Sequence, residues 1–415
     1  MRNPARRGGR RAPVMPTVAL LLALLAILLP ATAMAGGWTT MKRVTDERSS
    51  RLDSLHQLSA DRGQLHLVHP RTGPGEIDDR VFYQRSADAG ASWSDVDPIF
   101  TATRDLRHVV PNLALAARGD VVAVAWRAHG PRRHTLLIRV SRDGGDSFAE
   151  PEIVFSTRNK DGIGVPAVAV GAAGRLVTVA WTDRAKGRVR VRASRDAGRT
   201  FGDARTIGRT GLSIDCRDRL TDGLVGLVAS KRIVHLAWSL APRGRCQASS
   251  VEVRSSDDRG RTWGPPRTIT QRRSYGWPEL DARGRTVMAS VQSTDGGVVL
   301  ARSADDGVNW DDRRLKAPRG YSLSAADVAL MDGRKAMITY VKERVRRSRL
   351  LTTEVVSRWS PDDGVSLRRA RSVAPEAERL RMAPNIASIG RQVAIVLQSG
   401  PMSGSTRNLY VTRLR

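Results

Sequence analysis

The polar residues of this 415-residue chain cluster between apolar runs, and several of them are types that bind or process acidic groups. Arg104, Arg107 and His108 stand together, as do Arg127 and His129, and then Arg158 and Asp161. A guanidinium fork holds a carboxylate through two parallel N–H bonds, so these arginines are candidate ligand contacts. Asp183 and Glu343 add carboxyl groups suited to proton transfer, while Tyr275, Trp277 and Tyr321 add aromatic faces. His108, His129 and His134 lie close in sequence and read as loop residues, but no Asp or Cys stands near them at ligand spacing. No metal and no cofactor is therefore expected. His66 and His69, three places apart on one strand, face opposite sides and do not chelate together.

What positions these residues is an octapeptide that recurs six times. It first reads Ser86-Ala-Asp88-Ala-Gly90-Ala-Ser92-Trp93 and returns at Ser141, Ser194, Ser256, Ser303 and Ser360, the last copy ending in Leu367. The starts are 55, 53, 62, 47 and 57 residues apart. A period near fifty residues indicates a propeller or solenoid. Glycine at the fifth place permits a left-handed turn, and the aspartate at the third (Asp88, Asp143, Asp196, Asp258, Asp305, Asp362) accepts backbone N–H groups across it. Those six aspartates are read as structural. The closing aromatic is expected to wedge beneath the next blade.

Between octapeptides the pattern is three strands, with the second often ending Ala-Trp, as in 121–126, 176–181 and 233–238. A short outer strand follows each octapeptide, as at 151–155 and 267–270. The unit is a four-stranded antiparallel blade with strands A to D and the octapeptide at the C–D turn. Three-strand sets near 54–86, 112–141, 166–194, 224–256, 277–303, 324–360 and 385–414 number seven, against six octapeptides. The last set lacks a D strand, and 38–44 reads as a D strand with nothing before it. The fold expected is all-β, a single propeller of seven blades (six is the alternative), closed by the N-terminal strand pairing into the C-terminal blade. The A–B turns and octapeptides then share one face, and the D–A and B–C loops share the other, around the channel mouth. Cys216 falls in a D–A loop and Cys246 in the B–C loop of the same blade, which predicts a Cys216–Cys246 disulfide on the mouth face.

The octapeptide Ser-x-Asp-x-Gly-x-Ser/Thr-aromatic resembles the Asp-box, or bacterial neuraminidase repeat, of sialidases and related propellers. The resemblance implies a site of several arginines, a tyrosine activated by a glutamate, and an aspartate acid/base. Arg51, opening Arg51-Leu-Asp-Ser-Leu-His, resembles the family's first arginine segment without its proline. Asp78 and Asp79 stand where the acid/base is expected, and Gly320-Tyr321-Ser322 resembles the segment that carries the nucleophile. The residues so implied for catalysis are Tyr321, Asp79 and Arg51. No glutamate partner and no further arginine pair can be matched.

Arg2, Arg6, Arg7, Arg10 and Arg11 precede an apolar run from Val18 to Leu29, then Pro30 and small residues to Ala35. Residues 1–35 read as a secretory signal peptide cleaved after Ala35, with an uncleaved membrane anchor as the alternative, and 36–415 as the propeller. The location expected is secreted or on the exterior of the cell envelope. Cleavage removes five of 69 basic residues and none of 41 acidic ones, so the mature chain keeps a net charge near +23. Such a charge suits an anionic glycan or cell-surface polymer, with peripheral association at the surface. Export and the lack of a recognition motif exclude nucleic acid. The densest basic cluster, Arg344, Arg346, Arg347 and Arg349, reads as a solvated loop. The function expected is binding of an anionic glycan or cell-surface polymer without catalysis. The alternatives are a sialidase-like glycoside hydrolase, the one enzymatic reading with support, and a protein-interaction scaffold. The sequence does not fix the oligomeric state.

Overall fold

A computed structural model describes residues 37–45, 56–71, 79–159, 162–171, 173–211, 224–231, 233–241, 249–270, 276–346, 349–373, 379–401 and 408–414. Arg51, Asp78, Asp161, Cys216, Cys246, Tyr275, Arg347 and residues 1–35 lie outside the described residues. Trp38–Leu414 form one compact unit; Met1–Gly37 with Arg415 form another, of which only Gly37 is described.

The alternating and Ala/Val-rich runs form strands, β1 to β28, which assemble into seven four-stranded antiparallel sheets. Blade 1 is β2 (Gln57–Asp61), β3 (Gln64–Arg71), β4 (Arg80–Ser86) and β5 (Asp97–Thr101). Blade 2 is β6 (His108–Arg118), β7 (Val121–His129), β8 (His134–Ser141) and β9 (Glu152–Thr157). Blade 3 is β10 (Ala167–Gly171), β11 (Leu176–Asp183), β12 (Arg188–Ser194) and β13 (Arg205–Arg209). Blade 4 is β14 (Val225–Ser230), β15 (Ile233–Leu240), β16 (Ser250–Ser256) and β17 (Arg267–Thr270). Blade 5 is β18 (Glu279–Arg283), β19 (Thr286–Gln292), β20 (Val298–Ser303) and β21 (Asp311–Leu315). Blade 6 is β22 (Ser322–Met331), β23 (Lys335–Arg346), β24 (Arg349–Ser360) and β25 (Arg371–Ser372). Blade 7 is β26 (Arg379–Ile389), β27 (Gln392–Pro401) and β28 (Asn408–Leu414), completed by β1 (Lys42–Arg43).

The N-terminal strand therefore supplies the missing D strand: Lys42 faces Val411, Arg43 faces Tyr410, and Trp38 bridges Leu414. Each A strand packs on the next, and β26 packs on β2, so the ring closes and leaves no blade with an unsupported face. Polar side chains stitch neighbouring A strands where the ladder stops. The Asp61 carboxylate accepts the Gly119 N–H at 2.7 Å, Asp281 accepts that of Leu330 at 2.6 Å, and Asp327 that of Ile386 at 2.9 Å.

The indoles that end the B strands, Trp126, Trp181 and Trp238, are buried. Each packs against the D strand of the preceding blade: Trp126 on Phe100, Trp181 on Phe155, and Trp238 on the backbone at Gly208, where a Cβ would come within 2.5 Å of the ring. The octapeptides lean the same way, which reverses one expectation from the sequence. Phe148 packs edge-on against Tyr83 of the blade before it, and Trp93 joins the cluster containing Leu409 and Val411 of blade 7. The cause is the fifth-place glycine. Gly145, at φ +96°, is pressed so closely on Tyr83 that an added Cβ would lie 1.9 Å from its hydroxyl, and the turn therefore seats on the preceding blade.

All six turns share one hydrogen-bond pattern. In the third copy the Ser194 hydroxyl donates to Asp196 at 2.6 Å and accepts the Gly198 N–H at 2.7 Å, and both the N–H and hydroxyl of Thr200 donate to Asp196. The sixth copy keeps every one of these bonds through Ser360, Asp362, Gly364 and Ser366, although its aromatic is replaced by Leu367. Donated bonds hold the Asp88 and Asp196 carboxyls far below the usual range, led by the Ser92 and Ser194 hydroxyls respectively. Asp305 is lowered to about 2, chiefly by the Asn309 N–H.

Candidate functional site at the channel mouth

The seven A strands line a central channel whose cavity is about 240 Å³. Toward the face of the D–A and B–C loops it opens beside a smaller cavity of about 120 Å³. Its wall carries Trp277, Glu279, Gln292, Asp327, Asn385 and Gln57. The topology explains this grouping. Gln57 and Glu279 are the first residues of their A strands, Gln292 ends a B strand, and Trp277 stands in the D–A loop just ahead of β18, so all four lie at the mouth. Asp327 and Asn385 reach it through bulges in β22 and β26, between Ser324 and Asp327 and between Met382 and Asn385. Ala325, on the first bulge, is held at φ +45°, a strained conformation for alanine, and lines the same cavity.

Glu279 and Asp327 keep partial exposure, and because both line the cavity that exposure faces the lumen. Burial raises the Glu279 carboxyl well above its ordinary value, and the neighbouring Asp327 charge raises it further. Burial also pushes Asp327 up to about 7, against the lowering effect of the Ile386 and Val328 N–H bonds. Both carboxyls are thereby biased toward the protonated form, in which a carboxyl donates a hydrogen bond as well as accepting one. The Asn385 side-chain oxygen is buried and has no hydrogen-bond partner among the described residues. An aromatic face, three carboxamides and two carboxyl groups around a cavity are groups able to stack on a flat apolar face and to bond hydroxyls.

Of the residues singled out from the sequence, Trp277 is in this cavity. The others are distributed as follows. Asp79 is buried, accepts the Val109 N–H at 2.9 Å, and lies 3.6 Å from His108 Nδ1, tying blade 1 to the start of blade 2. Arg127 is buried and donates to the Ile163 carbonyl at 2.6 Å. Asp183 is buried, bridges to Ile163, and accepts the Lys186 N–H at 3.3 Å. Arg107 donates to the Arg104 carbonyl at 3.3 Å, and Arg104 and Arg158 are exposed. Tyr321 lies in contact with Lys342, at 5.2 Å from the ring centre, and with Arg344, at 5.9 Å. Glu343, across from Ser322 in the β22–β23 register, accepts the Ser324 hydroxyl at 2.6 Å. His108, His129 and His134, read as loop residues, stand on strand ends and fall opposite one another across β6, β7 and β8. Among the described residues no group of three or more His, Cys, Asp or Glu is placed to hold a metal ion.

The sequence reading missed Glu279, Asp327, Gln292, Asn385 and Gln57. A signal for the acids was present. The A strands of blades 3 and 4 read Ala-Val-Ala-Val-Gly and Val-Gly-Leu-Val-Ala-Ser, whereas blade 5 reads Glu-Leu-Asp-Ala-Arg and blade 6 places Asp327 before Val-Ala-Leu-Met. Carboxyl groups on strands that otherwise carry small apolar residues mark the channel wall.

Solved structures share this architecture. Phage phi92 endosialidase superposes with a TM-score of 0.52 at 10% identity, covering 92% of this chain and 69% of that one. Trypanosoma rangeli sialidase gives 0.50 at 10%, covering 90% and 59%. A protein of unknown function from Dyadobacter fermentans DSM 18053 gives 0.53 at 12%, covering 91% and 100%. The chain thus has the fold of sialidase-like β-propellers, and at these identities the likeness is one of fold. No protein-family model matches the sequence, and no curated protein matches it.

Proposed function

We propose that this protein is an exported Asp-box propeller that binds a glycan at its channel mouth without catalysis. In this reading the six octapeptides are Asp-boxes, residues 1–35 are a signal peptide cleaved after Ala35, and Cys216 and Cys246 are bridged. The observation that carries the binding role is the mouth cavity, where Trp277 stands beside Gln57, Gln292 and Asn385, a set suited to a sugar ring and its hydroxyls. Against sialidase chemistry stands the setting of Tyr321. A phenol nucleophile needs a base within hydrogen-bond reach, and here the ring is flanked by Lys342 and Arg344 while Glu343 is engaged by Ser324.

The test pairs a glycan array with a fluorogenic sialoside assay on the secreted protein. Retention on a defined set of glycans, lost in Trp277→Ala with an unchanged melting temperature, is the expected result. Sialoside turnover abolished by Tyr321→Phe would overturn the non-catalytic reading in favour of a sialidase, and wild-type protein that retains no glycan would remove the binding role itself.

A further inference from the structure

A groove of about 460 Å³ lies on the flank, between the outer strand β21 of blade 5 and the face of blade 6, within the range of roughly 300–1,000 Å³ typical of small-ligand sites. Leu315, Leu323, Tyr340 and Val356 form its apolar floor. Its rim carries Arg314, Lys316, Lys342, Arg358 and Arg371 against one carboxylate, Glu354. Glu354 is taken by Lys342, and Arg314 pairs with Asp295 outside the groove. Lys316, Arg358 and Arg371 have no carboxylate partner among the described residues.

In blades 2 and 3 the arginine two places before the octapeptide spends its donors on carbonyl groups. In blade 2, Arg139 donates through Nε to Ala149 at 2.6 Å and through Nη2 to Phe148 at 3.0 Å, with Nη1 on Ile99 of the preceding blade. In blade 3, Arg192 does the same with Gly202, Phe201 and Ile153. Arg358 holds this place in blade 6 and bonds the Tyr340 hydroxyl, but its Nε–H is buried with no acceptor, as are those of Arg254 at the same place in blade 4 and of Arg314 across the groove. A buried guanidinium N–H without an acceptor carries its full desolvation cost. Nearby, burial lowers Arg313 from its usual value, and the Arg358 charge lowers it again.

We infer that the groove between blades 5 and 6 is an anion-binding site for an acidic saccharide, with Arg358, Arg371 and Lys316 receiving a sulfate or carboxylate group and Tyr340 beneath it. Arg358 offers the planar fork that matches such a group, while Arg371 and Lys316 are exposed and reach it from the rim. The site is separate from the channel mouth and stands whether or not the mouth binds sugar.

The experiment measures binding of a heparin oligosaccharide, an oligogalacturonate and inorganic sulfate to the full secreted protein at fixed ionic strength. Arg358→Gln/Arg371→Gln is expected to weaken at least one of the two saccharides tenfold or more. Arg175→Gln/Arg199→Gln, which removes the same charge on the octapeptide face, should change affinity less than twofold. If Arg358→Gln lowers the melting temperature, the exposed pair Lys316→Gln/Arg371→Gln replaces it, with the same loss expected. Saccharide tighter on sulfated than on carboxylate-only chains, with free sulfate competing, assigns the sulfate as the bound group; the reverse order assigns the carboxylate. Equal losses in groove and control variants, or no saccharide binding in the wild type, overturn the inference. Loss confined to Trp277→Ala also overturns it and places these saccharides at the mouth, whereas loss confined to the groove variants upholds it and leaves the mouth to the glycan-array test.

Discussion

Lowering the pH from 7 to 5 should destabilise this protein through histidines that have no part in its surface chemistry. Burial lowers His56, His66, His69 and His235 from 6.5 to about 4. The folded values lie below the unfolded ones, so the unfolded chain takes up these protons first. The stability they contribute is complete above about pH 6.5 and is lost as the pH falls from 6.5 to 4. At pH 5.5 each binds about 0.9 more proton in the unfolded state, about 3.5 together. Glu279 and Asp327 act in the opposite sense, because both carboxyls are raised when folded: Asp327, at about 7, returns about one proton, and Glu279, raised by burial, returns part of another. Asp281, also raised by burial, returns part of another. The net uptake on unfolding is about 1 to 2 protons, so stability should fall by roughly 2 kcal/mol per pH unit near pH 5.5. In Glu279→Gln/Asp327→Asn the offset is gone and the slope should roughly double. Urea unfolding followed by tryptophan fluorescence at half-unit steps from pH 7 to 5 measures both slopes. A flat profile in the wild type, or equal slopes in the two proteins, would refute the protonation states assigned to the channel carboxyls and the buried imidazoles.

Two further outcomes follow from the turns. Gly145→Ala combines a φ of +96° with a Cβ only 1.9 Å from the Tyr83 hydroxyl, which also bonds His66 at 2.7 Å. It should cost about 2–4 kcal/mol in urea unfolding, and near-native stability would show that the turn does not seat on the preceding blade. Below the histidine window the octapeptide aspartates titrate. Their folded values are depressed, so their contribution is present above about pH 4 and is lost as the pH falls toward the value near 2 of Asp305. Asp196→Ala should flatten that acid limb relative to the wild type, and an unchanged limb would remove the carboxylate bonds from the account.

The ring was legible because its physical cause is periodic. Six octapeptides and seven three-strand sets set the blade number, and the unmatched strand at 38–44 had one place to go. The channel wall was harder to read. Glu279 and Asp327 are single departures in strands whose neighbours are small and apolar, and Asn385 enters the cavity only through a bulge that no local pattern announces. Trp277 was a candidate from its place in a mouth-facing loop, and it lines the cavity. The setting of Tyr321 depends on which cross-strand neighbours share its side of β23, and there the spacing in sequence carries little information.

The basic charge needs the structure before it can be interpreted. From composition alone it points to acidic partners, yet many arginines are spent inside the ring. Arg142 donates to Ala197 and Gly198 of the next octapeptide, Arg302 to Asp363, Arg313 to Gly364 and Val365, and Arg413 to Asp88. The reason is geometric. Each octapeptide turn leans on the blade before it and presents carbonyl groups at the seam, where a long fork of several N–H donors reaches more of them than a lysine can. A net charge of +28 is thus in part a consequence of building seven seams from these turns. At the flank groove β25 is only two residues long, and the Arg358 Nε–H finds no carbonyl, as is also true of Arg254 in blade 4. Part of the positive charge that can meet a partner therefore stands at this groove, where Lys316 and Arg371 are exposed.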